Sequence, residues 1–392
     1  MRAGVARNPL LRVAAVTAGL ASTSAHAAEW MFTPSSELFT RTQQNPHLSA
    51  DKKEEKEVST GVGVQASVAL QGRTERLIVA VQPLVTTYRY PDKTDLDRNE
   101  AHLTLSLNWL GEKVSWLGTA AAAHDTTLTS ELGNTGQTQG NFRHESYNLT
   151  FGPTWRVNER MQARSSLGVE ESRYPGSAGS SLSDYRYSSA VAGTSYGLTD
   201  RATLTLQGSA GRLESKGADS VTDNASLSLQ ARYVWSPVLS FGAGFGPSWV
   251  RTDAGKQQGL LYSADITRTF ETAALSLSAS RKQSPSGLAY LTEVDEATLA
   301  FSAQITERLT GTASAGITRR QNVLRDFNLD LTRVRYTRAE LGVSWHLASN
   351  WHLGASLGNA VQQVGSDFFD GSTGRGYDAR LSLSWSGNPH VK

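Results

Sequence analysis

The sequence predicts an all-β fold: a transmembrane antiparallel up-and-down β-barrel of about eighteen strands, with short periplasmic turns and longer extracellular loops. Three observations predict it. The N-terminus reads as an export signal, side chains alternate with period two along nearly the whole chain, and the connections alternate between tight and long.

Arg2, Arg7 and Arg12 form a positive n-region, and Val13 to Ala21 is a short apolar run. Ala25-His26-Ala27 follows as a small-x-small site, so residues 1–27 are expected to be a cleaved signal peptide. The apolar run is far too short for a helical anchor, which needs about twenty residues. Residues 28–392 are then the barrel, with a last strand ending near 385 and a short extension over 386–392.

The strands come next. Val62, Val64, Ala66, Val68 and Leu70 interleave with Gly61, Gly63, Gln65, Ser67 and Ala69. Leu103, Leu105, Leu107 and Trp109 interleave with His102, Thr104, Ser106 and Asn108. Tyr147 to Trp155, Leu227 to Trp235, Ala297 to Ile305, Ala339 to Leu347 and Tyr377 to Trp385 repeat the texture. Period two marks a strand with two different faces, and each run matches the nine to eleven or so residues that a tilted strand needs to cross a bilayer.

Tight connections fall at Thr74-Glu75-Arg76, Gly111-Glu112-Lys113, Asn158-Glu159-Arg160, Thr199-Asp200-Arg201, Ser236-Pro237, Glu271-Thr272, Thr306-Glu307-Arg308 and Ala348-Ser349-Asn350. Four of them share the pattern Thr/Asn-acid-Arg, an internal repeat. Longer polar segments separate them, among them Pro91 to Asn99, Ser130 to Arg143, Pro175 to Ser183 and Gly365 to Gly376. Trp109, Trp155, Trp235, Trp345 and Trp385 sit just before a tight turn or the chain's end, as a periplasmic aromatic girdle would. Tyr88, Tyr90, Tyr147, Tyr174, Tyr185, Tyr187, Tyr262, Tyr336 and Tyr377 flank the long loops and are expected to form the second belt.

Composition bounds the rest. Mean hydropathy is −0.36, as expected when half of every strand faces water. The net charge of +2 offers no basic surface for nucleic acid. With no cysteine, thiolate chemistry, disulfides and Cys-based metal sites are excluded. The expected lumen is Gly, Ser, Thr, Asn and Gln with a few charges: Arg156, Arg164, Arg232, Arg338 and Arg380 balanced by Glu170, Asp265 and Glu340. A barrel of this size leaves an aqueous channel unless something fills it. Nothing here reads as a plug domain, and Gln43 to Glu57 and Ser130 to Arg143 are the loops long enough to bend inward.

Catalysis and metal binding find little support in the sequence. His102, His124, His144, His346 and His352 are spread over several strands with no pair at ligand spacing. Asp95-x-Asp97-x-Asn99 opens like a calcium loop, but Glu100 stands where that loop requires glycine. Asp367, Asp370 and Gly371 read as a solvated acidic tip. Neither an enzyme nor a cofactor site is expected. Barrel assembly machinery, outer-membrane lipid and lipopolysaccharide are the partners that insertion implies.

Trp30-x-Phe32-x-Pro34, followed by Asn45-Pro46 and the repeated Thr-Glu-Arg turns, resembles a family of outer-membrane β-barrel porins found with exopolysaccharide biosynthesis and export operons. The resemblance extends over the mature chain. It departs at Gln43-Gln44, where the family has acidic residues, and at Ser386 to Lys392, which follow the last aromatic. The resemblance implies a passive outer-membrane conduit for a secreted polysaccharide, working with a periplasmic polysaccharide-export protein. Two other functions stay open: a general or small-solute diffusion porin, and a structural or adhesive barrel.

Overall fold

The computed structural model describes residues 29–130, 141–177, 180, 182–216, 220–253, 255–288, 290–322, 333–365 and 371–391. The expected signal peptide, most of the segment between Ser130 and Arg143, and Asp367 and Asp370 lie outside these residues. Eighteen long strands follow one another in the chain. They are β1 (Glu29–Gln44), β2 (Val58–Arg73), β3 (Leu77–Arg89), β4 (Arg98–Leu110), β5 (Val114–Thr126), β6 (Arg143–Arg156), β7 (Met161–Arg173), β8 (Tyr185–Gly197) and β9 (Ala202–Ser215). The second half comprises β10 (Ser220–Ser236), β11 (Leu239–Thr252), β12 (Gly255–Thr269), β13 (Ala273–Pro285), β14 (Leu291–Gln304), β15 (Leu309–Asn322), β16 (Arg333–Ala348), β17 (Trp351–Gly365) and β18 (Ser372–Ser386). Each pairs antiparallel with the next, and β1 closes on β18 from Ser35↔Ser386 to Gln44↔Tyr377. The sheet is a closed barrel, which leaves no edge strand to be satisfied.

The chain continues past β18. A two-residue strand, β19 (His390–Val391), pairs with Phe32 and Met31 of β1, so the C-terminal extension lengthens the closing seam instead of trailing from it.

The repeated turn motif has a physical basis. The Oγ1 of Thr74, Thr199 and Thr306 accepts the N–H of Leu77, Ala202 and Leu309 at 2.9, 3.0 and 3.1 Å. Asn158 Oδ1 does the same for Arg160 N at 2.9 Å. A side-chain acceptor at the first position holds the tight turn closed. The carbonyl of each motif arginine then accepts an N–H from a neighbouring strand: Arg76 from Leu110, Arg160 from Gly197, Arg201 from Val234 and Arg308 from His346. The motif therefore closes its own hairpin and stitches it to the next.

Register separates two faces. Val81, Leu105, Ala120, Leu149 and Val169 are partners in sequence across five strands. One position along, Gln82, Thr104, Ala121, Asn148 and Glu170 form the parallel row on the opposite face. The first face carries Leu167, Phe245, Leu341 and Leu357 at 63–69% exposure. A continuous apolar exterior of that kind is stable only against lipid. Among the described residues no helix is long and apolar enough to cross a membrane; the strands cross it.

Candidate functional site

Register alone places each residue read from the sequence as lumen-lining. Arg156, Arg164, Glu170, Arg232, Asp265, Arg338, Glu340 and Arg380 all lie on the inward, polar face. Their surroundings divide them. On β16, β18 and β1 the charges are paired: Arg338 with Glu340 at 2.9 Å, Arg380 with Glu37 at 2.9 Å, and Arg41 with Asp378 at 3.5 Å. The Arg380 guanidinium also covers the Phe39 ring at 4.0 Å. Phe39 fits against the wall because Gly63 sits opposite, where a Cβ would come within 2.2 Å of the ring.

The wall made by β6 to β10 differs. Arg156, Arg164 and Arg232 are exposed to the lumen near the tight turns, and among the described residues no carboxylate pairs with them. Arg164 donates to Gln207 Oε1, and Glu170, nearer the loops, accepts the Tyr185 hydroxyl at 2.7 Å. Between these charges the lumen wall is hydroxyl-rich. Ser35 and Ser67, Ser195 and Thr205, Ser209 and Ser226, and Ser278 and Thr298 hydrogen-bond across strands at 2.6–2.9 Å.

Toward the long loops the inward face ceases to be open. Ser59, Thr86, Glu100, Asp125, His144, Ser172, Tyr185, Leu213, Thr222, Val250, Val294, Arg320, Val334 and Gln362 point inward, each at 8% exposure or less. Together with Phe39 on β1 and Gly374 and Gly376 on β18, they place a buried inward residue on every strand from β1 to β11 and from β14 to β18. A buried ring on an inward wall means that loops have folded into the mouth. The sequence left open whether loops fill the channel, and at the outer mouth they narrow it.

The cap has an identifiable core. Tyr174, Leu182, Tyr185, Leu213, Val250 and Leu291 form one apolar cluster, with Phe142 and Tyr187 against it. Its members come from the β7–β8 loop, the inner walls of β8, β9 and β11, and the β13–β14 hairpin. Ladder pairing between β12 and β13 ends at Tyr262↔Arg281, and the upper part of β13 crosses behind the wall. There Gln283 donates to Ser248 Oγ on β11 at 3.2 Å and accepts from Asn224 Nδ2 on β10 at 3.4 Å. At the hairpin tip, Ser183 N donates to Gly287 O at 2.7 Å. A Cβ at Gly287 would lie 2.6 Å from the Tyr174 ring, so only glycine permits this approach.

Several polar groups inside the cap are paired, as burial favours, while the buried Ser59 and Ser215 hydroxyls have no hydrogen-bond partner among the described residues. His144 joins Asp125 through Nδ1 at 2.9 Å and Ser172 through Nε2 at 2.6 Å, linking β5, β6 and β7. Carboxylate, imidazole and hydroxyl stand in the order of an acyl-transfer triad. Here, however, Ser172 is 1% exposed, and the Tyr174 ring lies over the imidazole at 5.0 Å. The trio works as a clamp across three strands. Glu100 forms an ion pair with Arg98 at 2.8 Å and accepts from the Thr129 hydroxyl at 2.7 Å. Asn45 turns the first loop inward, donating to Ser49 O and Arg375 O and accepting Ser49 N. Of the two loops named as long enough to bend inward, this first one does so.

Three other readings are revised. Tyr147, Tyr262 and Tyr377 face outward, but Tyr88, Tyr185, Tyr187 and Tyr336 face inward, and Tyr90 and Tyr174 are buried in the cap. His346 and His352 are cross-strand partners with ring centroids 4.3 Å apart, because the Ala348–Asn350 turn brings them into register. Asp97 accepts Tyr90 N at 2.6 Å, so this part of the calcium-like motif orders a loop. Trp109, Trp155, Trp235, Trp345 and Trp385 all lie on the outward face near the tight turns.

A closed eighteen-strand barrel with an apolar exterior and a polar interior is an integral protein of the outer membrane. Its tight turns are periplasmic and its cap extracellular. No family profile matches the chain, and no curated protein matches it in sequence. Solved structures similar to it include OccK2 (OpdF) of Pseudomonas aeruginosa in complex with glucuronate, at 13% identity and a TM-score of 0.48, covering 92% of this chain and 97% of that one. OpdO of the same organism has the same figures. The ferric enterobactin receptor PfeA of Pseudomonas aeruginosa is 10% identical with a TM-score of 0.48, over 92% of this chain and 80% of its own.

Proposed function

We propose that this barrel is a porin for small polar solutes, and that its extracellular cap limits what passes. The observation carrying this reading is the contrast along the lumen: hydrated and nearly neutral toward the periplasm, packed at the outer mouth. The Ser and Thr pairs exchange hydrogen bonds with a passing solute as readily as with water, so nothing need be held tightly. Arg156, Arg164 and Arg232 give the lower wall a mild attraction for anions. Planar-bilayer recordings test it: small, discrete conductance steps are expected, with modest preference for chloride over potassium. A barrel that never conducts would favour the structural or adhesive reading.

Export of a polysaccharide remains the second reading. Its support is the hydroxyl-lined wall and the resemblance of Trp30 to Pro46 to export-linked porins. It requires the cap to clear the mouth for a polymer. A deletion strain separates the two. Loss of uptake of a small nutrient with a normal surface coat supports the porin, and loss of the coat with normal uptake supports the conduit.

A further inference from the structure

Around the outward face, just above the apolar band, several arginines come with carboxylates. Arg173 pairs with Glu171 at 2.8 Å, Arg212 with Asp223 at 3.2 Å, and Arg281 with Glu293 at 2.9 Å. Among the described residues of this face, one row sets two arginines opposite each other. Asp295, Arg319, Arg335, Gln363 and Thr373 are successive partners in one row across β14 to β18. Arg319 therefore stands directly opposite Arg335. Like charges facing each other across strands destabilise a sheet. The nearest carboxylate in the row, Asp295, is already gripped by both Nε and Nη2 of Arg281 and by the Tyr262 hydroxyl.

The two arginines border a cavity of about 610 Å³, which Arg333, Gln363, Ser372 and Thr373 also line. Every one of these side chains can donate a hydrogen bond. Directly below on the same face lie Ile317, Val361, Leu341 and Leu357, the last two at 64% and 65% exposure. From Trp345 to Arg335 along β16 is ten residues, which at strand rise and tilt is about 25 Å, the height of the apolar band. The cationic cavity thus sits at the outer-leaflet interface with apolar wall beneath it.

From this geometry we propose that Arg319 and Arg335 hold the phosphate of a phosphorylated glycolipid of the outer leaflet, its acyl chains lying along β15 to β17. A phosphate between the guanidiniums converts a repulsive pair into a bidentate anion clamp. The Gln363 and Thr373 groups bond the remaining oxygens or sugar hydroxyls. A free anion would gain the same clamp but nothing from the apolar wall, which is why the amphiphile is the occupant.

Native mass spectrometry of the full barrel in detergent, with diphosphorylated lipid A as probe, tests this. Wild-type protein is expected to retain lipid A, and R319Q/R335Q to retain it roughly thirtyfold less, as two basic groups at an anionic surface imply. Arg173→Gln, outward but paired elsewhere, should retain it as wild type does. Migration of folded and heat-denatured barrel on a gel confirms that each variant folds. Equal retention by R319Q/R335Q overturns the proposal. So does equal retention of a dephosphorylated lipid A, which would leave only the apolar wall, or full displacement by inorganic phosphate at matched concentration, which would make this a soluble-anion site.

Discussion

The periplasmic half of the lumen and its extracellular third are built from the same strands with the same alternation, yet one is hydrated and the other is packed. Below, Arg156, Arg164 and Arg232 reach into open space. Above, His144 and Ser172 on neighbouring positions of the same wall are sealed at 5% and 1% exposure. The difference comes from what the loops do and not from the wall. Strand pairing fixes a tube, and the inward fold of the β7–β8 loop and the β13–β14 hairpin decides how much of it is open. On the proposed porin function, size selection would fall to these inward-folded elements and not to the wall.

Removing the cap should have the largest effect on this contrast. Leu213 is fully buried in the apolar cluster, on an inward position of β9. Leu213→Asp puts an unpaired carboxylate there, a cost of several kcal/mol, which the cap escapes by leaving the wall. Single-channel conductance should rise severalfold while the barrel keeps its resistance to heat. Unchanged conductance, with loop residues 174–177 newly open to protease, would show that the cap is not the barrier.

The wall itself responds to its outer face. Leu229 and Leu383 face outward, and Ser228 and Ser382 beside them face inward. Arginine at either leucine should destabilise the folded barrel by about 2–4 kcal/mol at mid-membrane, and at either serine by little. Denaturant titrations into lipid vesicles give the comparison. Equal penalties at the two sets would reverse the assignment of faces.

These two regions were unequally legible in the sequence. The wall could be read because period two is local: Leu103 to Trp109 against His102 to Asn108 requires no knowledge of any partner. The turns could be read for the same reason, since Thr74 bonds residues two and three ahead. The cap is nonlocal. Asp125, His144 and Ser172 are separated by 19 and 28 residues and meet only through the register of β5, β6 and β7. Tyrosine near a loop suits a lipid interface and a packed mouth equally, so Tyr147 and Tyr185 look alike until parity is assigned. One signal was nevertheless present. Leu213, Val250, Val294 and Val334 are apolar at inward positions near strand ends, where a water-filled lumen calls for Ser, Thr or Gly.

A smaller effect is expected at the clamp beneath the cap. His144→Ala leaves Asp125 and Ser172 buried without their shared partner, and an orphaned buried group costs about 1–3 kcal/mol. Most of that loss should fall on the cap and little on the ladder. Hydrogen exchange should show faster opening at Ser172, Tyr174 and the strand ends of β5 and β6, with the periplasmic halves unchanged. Uniform acceleration along β5 to β7 would mean that cap and wall open as one unit.

The smallest effect should come from the open half. Replacing Arg156, Arg164 and Arg232 together by glutamine removes charges that stand in water, where a unit interaction at 4 Å is worth about 1 kcal/mol. Anion preference measured from reversal potentials should fall by less than about tenfold, and overall conductance should hardly change. Salt gives the discriminating control, because screening shortens from about 10 Å at 0.1 M to about 3 Å at 1 M. The difference between variant and wild type should therefore be clear in dilute salt and nearly vanish in concentrated salt. On the opposite wall Arg338 and Glu340 already neutralise each other at 2.9 Å. Removing both as R338Q/E340Q should shift selectivity less than the triple substitution does at any salt. A larger shift there, or one that persists at 1 M, would locate the solute's path along β16 to β18 and not along β6 to β10.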